Sequence, residues 1–487
     1  MTFSSYVFIL AFLPLFLLLY FTVGKMSLKI RKILMILGGM IFYLHAGWES
    51  AAVLGASLLM NFLLARMITG TQRPRGMLVL TIAANVGVLF YFKYSNFALE
   101  MIQSVTRGTF SFREILLPLG ISFFTFQQIM YVSSVGKGEI RVNLPDYLAY
   151  ILFFPKLIMG PLMEPTEFIR QINDPERKNI SWENMASGLK LFSFGLCKKM
   201  LLADTFARAV AWGFANGTAT AGKLPVATSY DLLLVMLSYT FQIYFDFSGY
   251  SDMATGVSKM LNIDLPINFD SPYKAASLRD FWRRWHVTLS GFLTKYIYIP
   301  LGGNRKGSAK TCANIMIVFL ISGLWHGASW TFVLWGFLHG LLQVLERCFS
   351  KTLRKLPGFI RWGYTFFFVN ILWLLFRTES IREWLDLLKR TFSLKYRLIS
   401  DGLLQTFELP ISRFFFEKTH LTQLYTGVRG FSMILFLISA LLICLIPQNN
   451  YRNMRKTNML QLVLSVLFFV CGFLSISSES VFVYFNF

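Results

Sequence analysis

Residues 312–345 read CANIMIVFLISGLWHGASWTFVLWGFLHGLLQVL, two apolar runs that contain no Asp, Glu, Lys or Arg and meet near Gly327. A bilayer-spanning helix needs about 20 predominantly apolar residues. Lipid-facing backbone must also be helical, so that its polar groups pair internally. The stretch therefore predicts membrane-spanning segments over 312–325 and 328–345. Similar runs extend outward in both directions, at 4–24, 33–48, 51–65, 77–92, 115–135, 229–248, 362–376, 431–447 and 459–475. Less regular candidates lie at 146–163 and 183–202. The reading is an all-α polytopic membrane protein. The longest polar interruption, 377–430, includes a possible short helix at 380–392. No internal repeat or separate soluble domain is visible, so residues 1–487 read as one integral membrane domain.

Composition agrees. Apolar residues make up 55% of the chain and charged residues 15%, against about 25% charge in soluble proteins. The net charge of +22 would suggest nucleic acid in a soluble protein. Here it reads as Lys and Arg gathered in cytoplasmic loops, and a nucleic-acid partner is excluded in favour of the lipid bilayer. Lys25, Lys29, Arg31 and Lys32, then Arg66, Arg73 and Arg75, then Lys137 and Arg141 occupy alternate loops. The loops at Trp48–Ser50 and Tyr94–Asn96 are poor in positive charge. This pattern places the N-terminus outside and the first loop inside. Arg452, Arg455 and Lys456 mark another inside loop, and the tail around Glu479 then lies outside, which implies an even number of spans. The run Tyr6–Val23 has no basic residue before it and no small-residue cleavage site, so it reads as a retained span. The five Cys show no CxxC spacing and read as buried hydrophobes, with no disulfide or metal role.

Charged and polar groups inside apolar sequence are costly and usually serve a site or one another. The densest cluster runs from Tyr244 to Asn304, with a second at Ser322–Gly327. His326 lies deep in apolar sequence, next to Trp325 and between Gly323 and Gly327. A neutral imidazole there can take a proton from an attacking hydroxyl. It can equally be a buried histidine bonded to a neighbouring helix, and the residues alone leave both readings open. His286 sits among Trp282, Arg283, Arg284 and Trp285. It is either a second polar group at the site or an interfacial histidine beside aromatic anchors. On one continuous helix His339 would stand about 220° around the axis from His326, which makes it a weaker candidate. His45 and His420 read as incidental. Asp246 and Asp252 are about 240° apart on an ideal helix, so they pair only if the helix breaks at Gly249. Arg283 and Arg284 are candidate ionic partners for them, in a structural pair or a binding site. Gly302-Gly303-Asn304-Arg305 signals a tight turn without the Gly-Lys-Ser/Thr ending of a phosphate loop. Asn304 and Arg305 there are cytoplasmic-turn residues or contacts to the phosphates of a nucleotide-like donor. The segment 271–300 interleaves Arg and Lys with aromatics, as interfacial or re-entrant helices do.

Several stretches carry a resemblance: LPLGISFFTFQ at 117–127, FFPKLIMGPL at 153–162, YFDFSGYSDMATG at 244–256, INFDSPYKAASLRDFWRRWHVTLSGFLTKYIYIPLGGNRKG at 267–307 and LISGLWHGASWTFVLWGFLHG at 320–340. WLLFRTES at 373–380 and VFVYFNF at 481–487 match more weakly. Together they resemble the membrane-bound O-acyltransferase (MBOAT) family, in its bacterial alginate O-acetylation branch. The resemblance covers most of the chain, with a catalytic core at about 115–345 and C-terminal helices at about 357–487. It implies a ring of tilted transmembrane helices around a central funnel or tunnel, with re-entrant or interfacial helices. It places the family's invariant histidine at His326 and its second polar position at His286. The residues themselves add Asp246, Asp252, Arg283, Arg284, Trp325, Asn304 and Arg305 as candidate substrate contacts. The resemblance implies an O-acyltransferase of the bacterial cytoplasmic membrane with no bound cofactor. Acetyl-CoA or an acyl-carrier thioester serves as the donor substrate, an envelope polysaccharide or other glycan is the acceptor, and an extracytoplasmic hydrolase-like protein is a partner. Two departures stand out: Ser134–Lys137 replaces an Asp-Val-Tyr-Arg-like stretch, and Glu164 stands where an Arg is common. D-alanyl transfer from a carrier protein to teichoic acid is a second enzymatic reading. A transporter or flippase is the reading from another class, although matched broken helices in repeated halves are not visible.

Overall fold

The structure is a computed structural model that describes residues 1–106, 115–217, 227–393, 398–408, 418, 429–447, 449–454, 458–476 and 482. Every regular element among the described residues is helical. Among the described residues, five helices are long and apolar enough to cross a membrane: Trp48–Gly70, Pro74–Thr106, Ser229–Met260, Gly307–His326 and Gly358–Phe376. Shorter apolar helices lie at Phe8–Thr22, Gly430–Leu445 and Met459–Leu474. The chain is thus a multi-pass membrane protein, as its uncharged runs predict. His420, Arg455, Lys456 and Glu479 lie outside the described residues, as does the 481–487 motif apart from Phe482.

The described chain forms two compact units. The first holds residues 1–195, 250–267 and 454–469. Its helices are α1 (Leu13–Thr22), α2 (Leu28–Leu44), α3 (Trp48–Gly70), α4 (Pro74–Thr106), α5 (Ile121–Gly136), α6 (Leu144–Ile151), α7 (Pro165–Ile172) and α8 (Trp182–Cys197). Ser27 caps α2 by accepting the Ile30 N–H at 3.2 Å, and Asn143 caps α6 by accepting the Asp146 N–H at 3.1 Å. Within the apolar pair α3 and α4, Asn61 and Asn85 exchange amide hydrogen bonds of 3.1 and 2.7 Å. Such side-chain bonds hold helices together where no hydrophobic difference from lipid exists. Lys156 is fully buried, with its amine on Gln127 Oε1 and 3.8 Å above the Tyr150 ring.

Two expected spans differ. The 115–135 run becomes helical only at Ile121, because Gly120 caps it in the left-handed region at φ +72°. The 146–163 segment is no single helix: α6 ends at Ile151, one turn follows at Phe154–Leu157, and the next helix starts at Pro165. Pro155 and Pro161 lack the N–H that would continue a helix.

The second unit holds residues 196–249, 268–453 and 470–487. It contains α9 (Asp204–Gly217), most of α10 (Ser229–Met260), α11 (Leu278–Arg284), α12 (Val287–Leu293), α13 (Gly307–His326), α14 (Trp330–Cys348), α15 (Gly358–Trp373), α16 (Ile381–Thr391), α17 (Asp401–Thr406) and α18 (Arg429–Leu445). The apolar window of α10 is 83% buried, whereas that of α13 is 22% buried, so α10 is an interior helix and α13 offers a broad apolar face outward. The expected interfacial segment 271–300 is a chain of short pieces, among them α11 and α12. The expected helix at 380–392 is α16, which Ser380 caps at the Glu383 N–H and which buries Trp384, Leu387 and Thr391.

Helices α13 and α14 form a tight hairpin. A Cβ on Gly323 would stand 2.3 Å from the Phe332 carbonyl oxygen, and one on Gly336 would stand 2.4 Å from that of Phe319. No side chain fits at either crossing point. Helix α13 stops at His326, Gly327 is extended, and the Ser329 hydroxyl accepts the Thr331 N–H at 3.3 Å to start α14. Gly336→Leu is expected to lower stability by at least about 1–3 kcal/mol through overpacking, read as an earlier thermal melt of the detergent-solubilised protein. An unchanged melt would mean that the two helices separate without cost.

Candidate functional site

The helix break at Gly327 puts His326 on the last residue of α13, 4% exposed. Its ring packs at centroid distances of 4.7 Å on Phe376, 4.7 Å on Trp325 and 5.2 Å on Trp335. His286 arrives by another route. It caps α12 in the left-handed region, at φ +45°, a conformation that a non-glycine residue keeps only when its surroundings hold it. Those surroundings are the irregular segment from Asn268 to Ser271. The Val287 N–H donates to the Asn268 carbonyl at 2.9 Å, and the Asp270 N–H donates to the Arg284 carbonyl at 2.9 Å. The Asn268 side-chain oxygen accepts the Thr288 hydroxyl at 3.0 Å and faces His286 Nδ1 at 3.1 Å. An amide oxygen only accepts, so Nδ1 carries the proton and Nε2 carries the lone pair. Phe247 stands edge-on to the His286 ring at 4.8 Å, and Trp325 lies 6.0 Å away. Trp325 therefore packs on both histidine rings.

Both histidines open onto one cavity of about 1330 Å3. Trp282, Trp285, Ser322 and Tyr298 share its wall. Arg279, Arg283, Arg347, Lys351, Arg354 and Arg361 also line it and outnumber its carboxylates, Asp280 and Glu346. The cavity is thus apolar and aromatic at the histidines and strongly cationic elsewhere, a form suited to a ligand with an anionic part and a neutral reacting end. Glu346 is built into the wall: its two oxygens accept the Leu278 and Arg279 N–H groups at 2.8 and 3.2 Å, fastening the start of α11 to α14.

The structure brings together His326, His286, Arg283 and Asn304 on this cavity, with Trp325 behind the histidines. It separates the other candidates. Arg284 turns away, donating to Asp280 at 2.9 Å and to the Asp270 carbonyl at 3.3 Å. Arg305 is exposed on the turn made by Gly302 and Gly303, both of positive φ. Helix α10 does not break at Gly249, so Asp246 and Asp252 do not close into a carboxylate pair, and Asp252 belongs to the first unit. The expected pairing of Asp246 with Arg283 or Arg284 is corrected. Its partner is Lys199, at 2.6 Å, which also reaches Asp204 at 2.9 Å. The weaker standing of His339 rested on one helix running from His326 to His339. The chain instead folds back at Gly327, and the Trp335 ring touches both histidines, at 5.2 and 4.6 Å.

Sequence reasoning missed Asn268 and the cationic wall from Arg347 to Arg361. The available signals were an Asn within the polar cluster and a basic segment that looks like any cytoplasmic loop.

Comparison with known proteins follows the same residues. The model of a family described as MBOAT, membrane-bound O-acyltransferase family, matches residues 139–381. A peptidoglycan O-acetyltransferase of Helicobacter pylori is 36% identical, over 100% of this chain and 97% of its own length. A probable alginate O-acetylase AlgI of Pseudomonas aeruginosa is 36% identical, over 78% of this chain and 73% of its own length. A teichoic acid D-alanyltransferase of Bacillus subtilis is 27% identical, over 49% of this chain and 60% of its own length.

The Lys199–Asp246 pair is 2% and 1% exposed. Removing Asp246 leaves the buried lysine with Asp204 alone, so Asp246→Ala is expected to cost about 1–3 kcal/mol. Melting temperatures of the purified variants measure this. A change of less than about 1 kcal/mol would mean that water or another group already solvates the lysine.

Proposed function

Because this chain belongs to the membrane-bound O-acyltransferase family, and is therefore an acyltransferase, we propose that it transfers acetyl from a cytoplasmic thioester to hydroxyls of an envelope glycan, with His326 as the base. The observation that carries this reading is the single cavity that joins a cationic wall to two buried histidines. The cationic wall suits the phosphates of acetyl-CoA or of a carrier-bound phosphopantetheine, since Arg and Lys give charge-assisted bonds to phosphate. The acyl group extends from there to His326. The acceptor hydroxyl gives its proton to His326 as its oxygen attacks the thioester carbonyl. Burial among Trp325, Trp335 and Phe376 keeps water from the thioester. His286, with its lone pair on Nε2, is a second acceptor on the same wall.

The acceptor class follows the relatives matched over most of their length, a peptidoglycan O-acetyltransferase and a probable alginate O-acetylase. D-alanyl transfer is the second reading, supported by the more distant match over about half of the chain. The chain sits in the cell membrane with both termini outside, according to its basic loops. A separate extracytoplasmic protein completes transfer to the polymer.

The test compares envelope O-acetyl esters in cells making the wild type and His326→Ala, at matched membrane abundance. The expected loss is about 100-fold or more, as for removal of a general base. Persistence of the esters would overturn the role of His326, and alanyl esters in their place would favour the second reading. On the donor side, Arg354→Glu is expected to raise KM for acetyl-CoA about tenfold, the scale of one charge-assisted bond. An unchanged KM would remove the cationic wall from donor binding.

A further inference from the structure

Beside the cavity, three buried rings packed on one another each carry a nitrogen with no hydrogen-bond partner among the described residues. Trp335, Trp373 and His339 are 0%, 1% and 1% exposed. The Trp335 ring lies 4.6 Å from His339 and 6.2 Å from Trp373, and His339 lies 6.4 Å from Trp373. The proton on His339 can be placed. Trp282 Nε1 donates to His339 Nδ1 at 3.3 Å, and an indole nitrogen only donates. His339 Nδ1 is therefore the acceptor, and the neutral ring carries its hydrogen on Nε2. Among the described residues, that Nε2 and the Nε1 atoms of Trp335 and Trp373 have no hydrogen-bond partner.

All three orphans are therefore N–H donors. Buried polar groups are almost always paired, and each unpaired one costs about 1–3 kcal/mol. Three orphans of mixed type could arise from loose packing. Three donors with no acceptor, on rings that pack on one another beside the cavity, are suited to receiving an oxygen. The cluster adjoins the reacting end of the cavity: Trp282 and His326 both line the cavity, and both pack on Trp335, at 5.4 and 5.2 Å. The same proton placement excludes His339 as the base, since its Nδ1 lone pair is occupied and its Nε2 is already protonated.

We infer that Trp335, Trp373 and His339 form a donor site for the carbonyl oxygen of the acyl group, stabilising the charge that develops there during transfer at His326. This rests on the acyl-transfer reading above. In the first step the acceptor oxygen bonds to the acyl carbon and its proton passes to His326. The carbonyl π pair moves onto the carbonyl oxygen, which the three N–H groups then hold. In the second step the carbonyl re-forms, the C–S bond breaks, and the departing thiolate takes the proton from His326. Atoms and charge balance, and no further reactant is needed. Because the donors are fixed before the reaction, they act most strongly when the oxygen bears charge, in a site that excludes water.

The test uses inside-out membrane vesicles from cells producing the full chain, supplied with labelled acetyl-CoA, with alkali-labile label on the enclosed glycan as the readout. Trp335→Phe and Trp373→Phe keep a ring and remove the N–H. His339→Leu removes the donor, whereas His339→Gln restores one. The expected result is a fall in maximal rate of about 100-fold in Trp335→Phe and His339→Leu. KM for acetyl-CoA should stay within about twofold, because the donors act on the transition state. His339→Gln should recover most of the lost rate. Membrane abundance and melting temperature of each variant separate a chemical loss from a folding loss. Wild-type rates in Trp335→Phe and His339→Leu, with His326→Ala inactive, would sink the donor site and leave the acyl-transfer reading standing. So would a His339→Gln variant no faster than His339→Leu. Failure of the wild type itself to transfer acetyl would sink both.

Discussion

Helices α13 and α14 touch backbone to backbone at Gly323 and Gly336, and most of the candidate site depends on that contact. With a side chain at either position the helices would move apart by the width of that side chain, since a Cβ there meets a carbonyl oxygen at 2.3 or 2.4 Å. The close crossing lays the Trp335 ring of α14 against the terminal histidine of α13. It also keeps Phe319 and His339 in ring contact, 6.2 Å apart. Small residues at helix crossings are the usual means of close approach in membranes, where lipid is as apolar as the side chains. Here the crossing also sets the geometry of the candidate site.

The two cavity histidines are held by different backbone devices. His326 ends a helix, and aromatic rings fix it. His286 sits in a strained left-handed position, and Asn268 fixes it through one nitrogen. Strain of about 1–3 kcal/mol persists only where surrounding contacts over-determine it. The Asn268–Ser271 segment supplies those contacts, from backbone and side chain together. The buried charges divide in a similar way. Lys199 and Asp246 neutralise one another in the interior, and Glu346 is used up in fastening α11. The cations of the cavity wall remain available to a ligand.

Much of this architecture was legible in the chain. Long runs without charge have one solution in a bilayer, because each backbone N–H and C=O must find its partner within the same helix. That argument is local, and it held for 51–65, 77–92, 229–248 and 312–325. It did not hold for 146–163, where composition is equally apolar but Pro155 and Pro161 leave only short turns. His326 stood out because an imidazole between uncharged runs is costly, and its position on the cavity agrees with that signal.

By itself, then, the sequence determined that the chain is helical, that it lives in a membrane, and which histidine lies between uncharged runs, because hydropathy and motif spacing are properties of neighbours along the chain. Only the tertiary structure decided the partners. Asp246 pairs with a lysine 47 residues before it, and Asn268 orients a histidine 18 residues after it. Trp282 sets the tautomer of His339, 57 residues away. His326 and His339 face a common ring because the chain turns at Gly327, where one continuous helix would have pointed them apart. Such pairings depend on distance and direction between segments that composition treats as equivalent, and they become defined only when the helices pack.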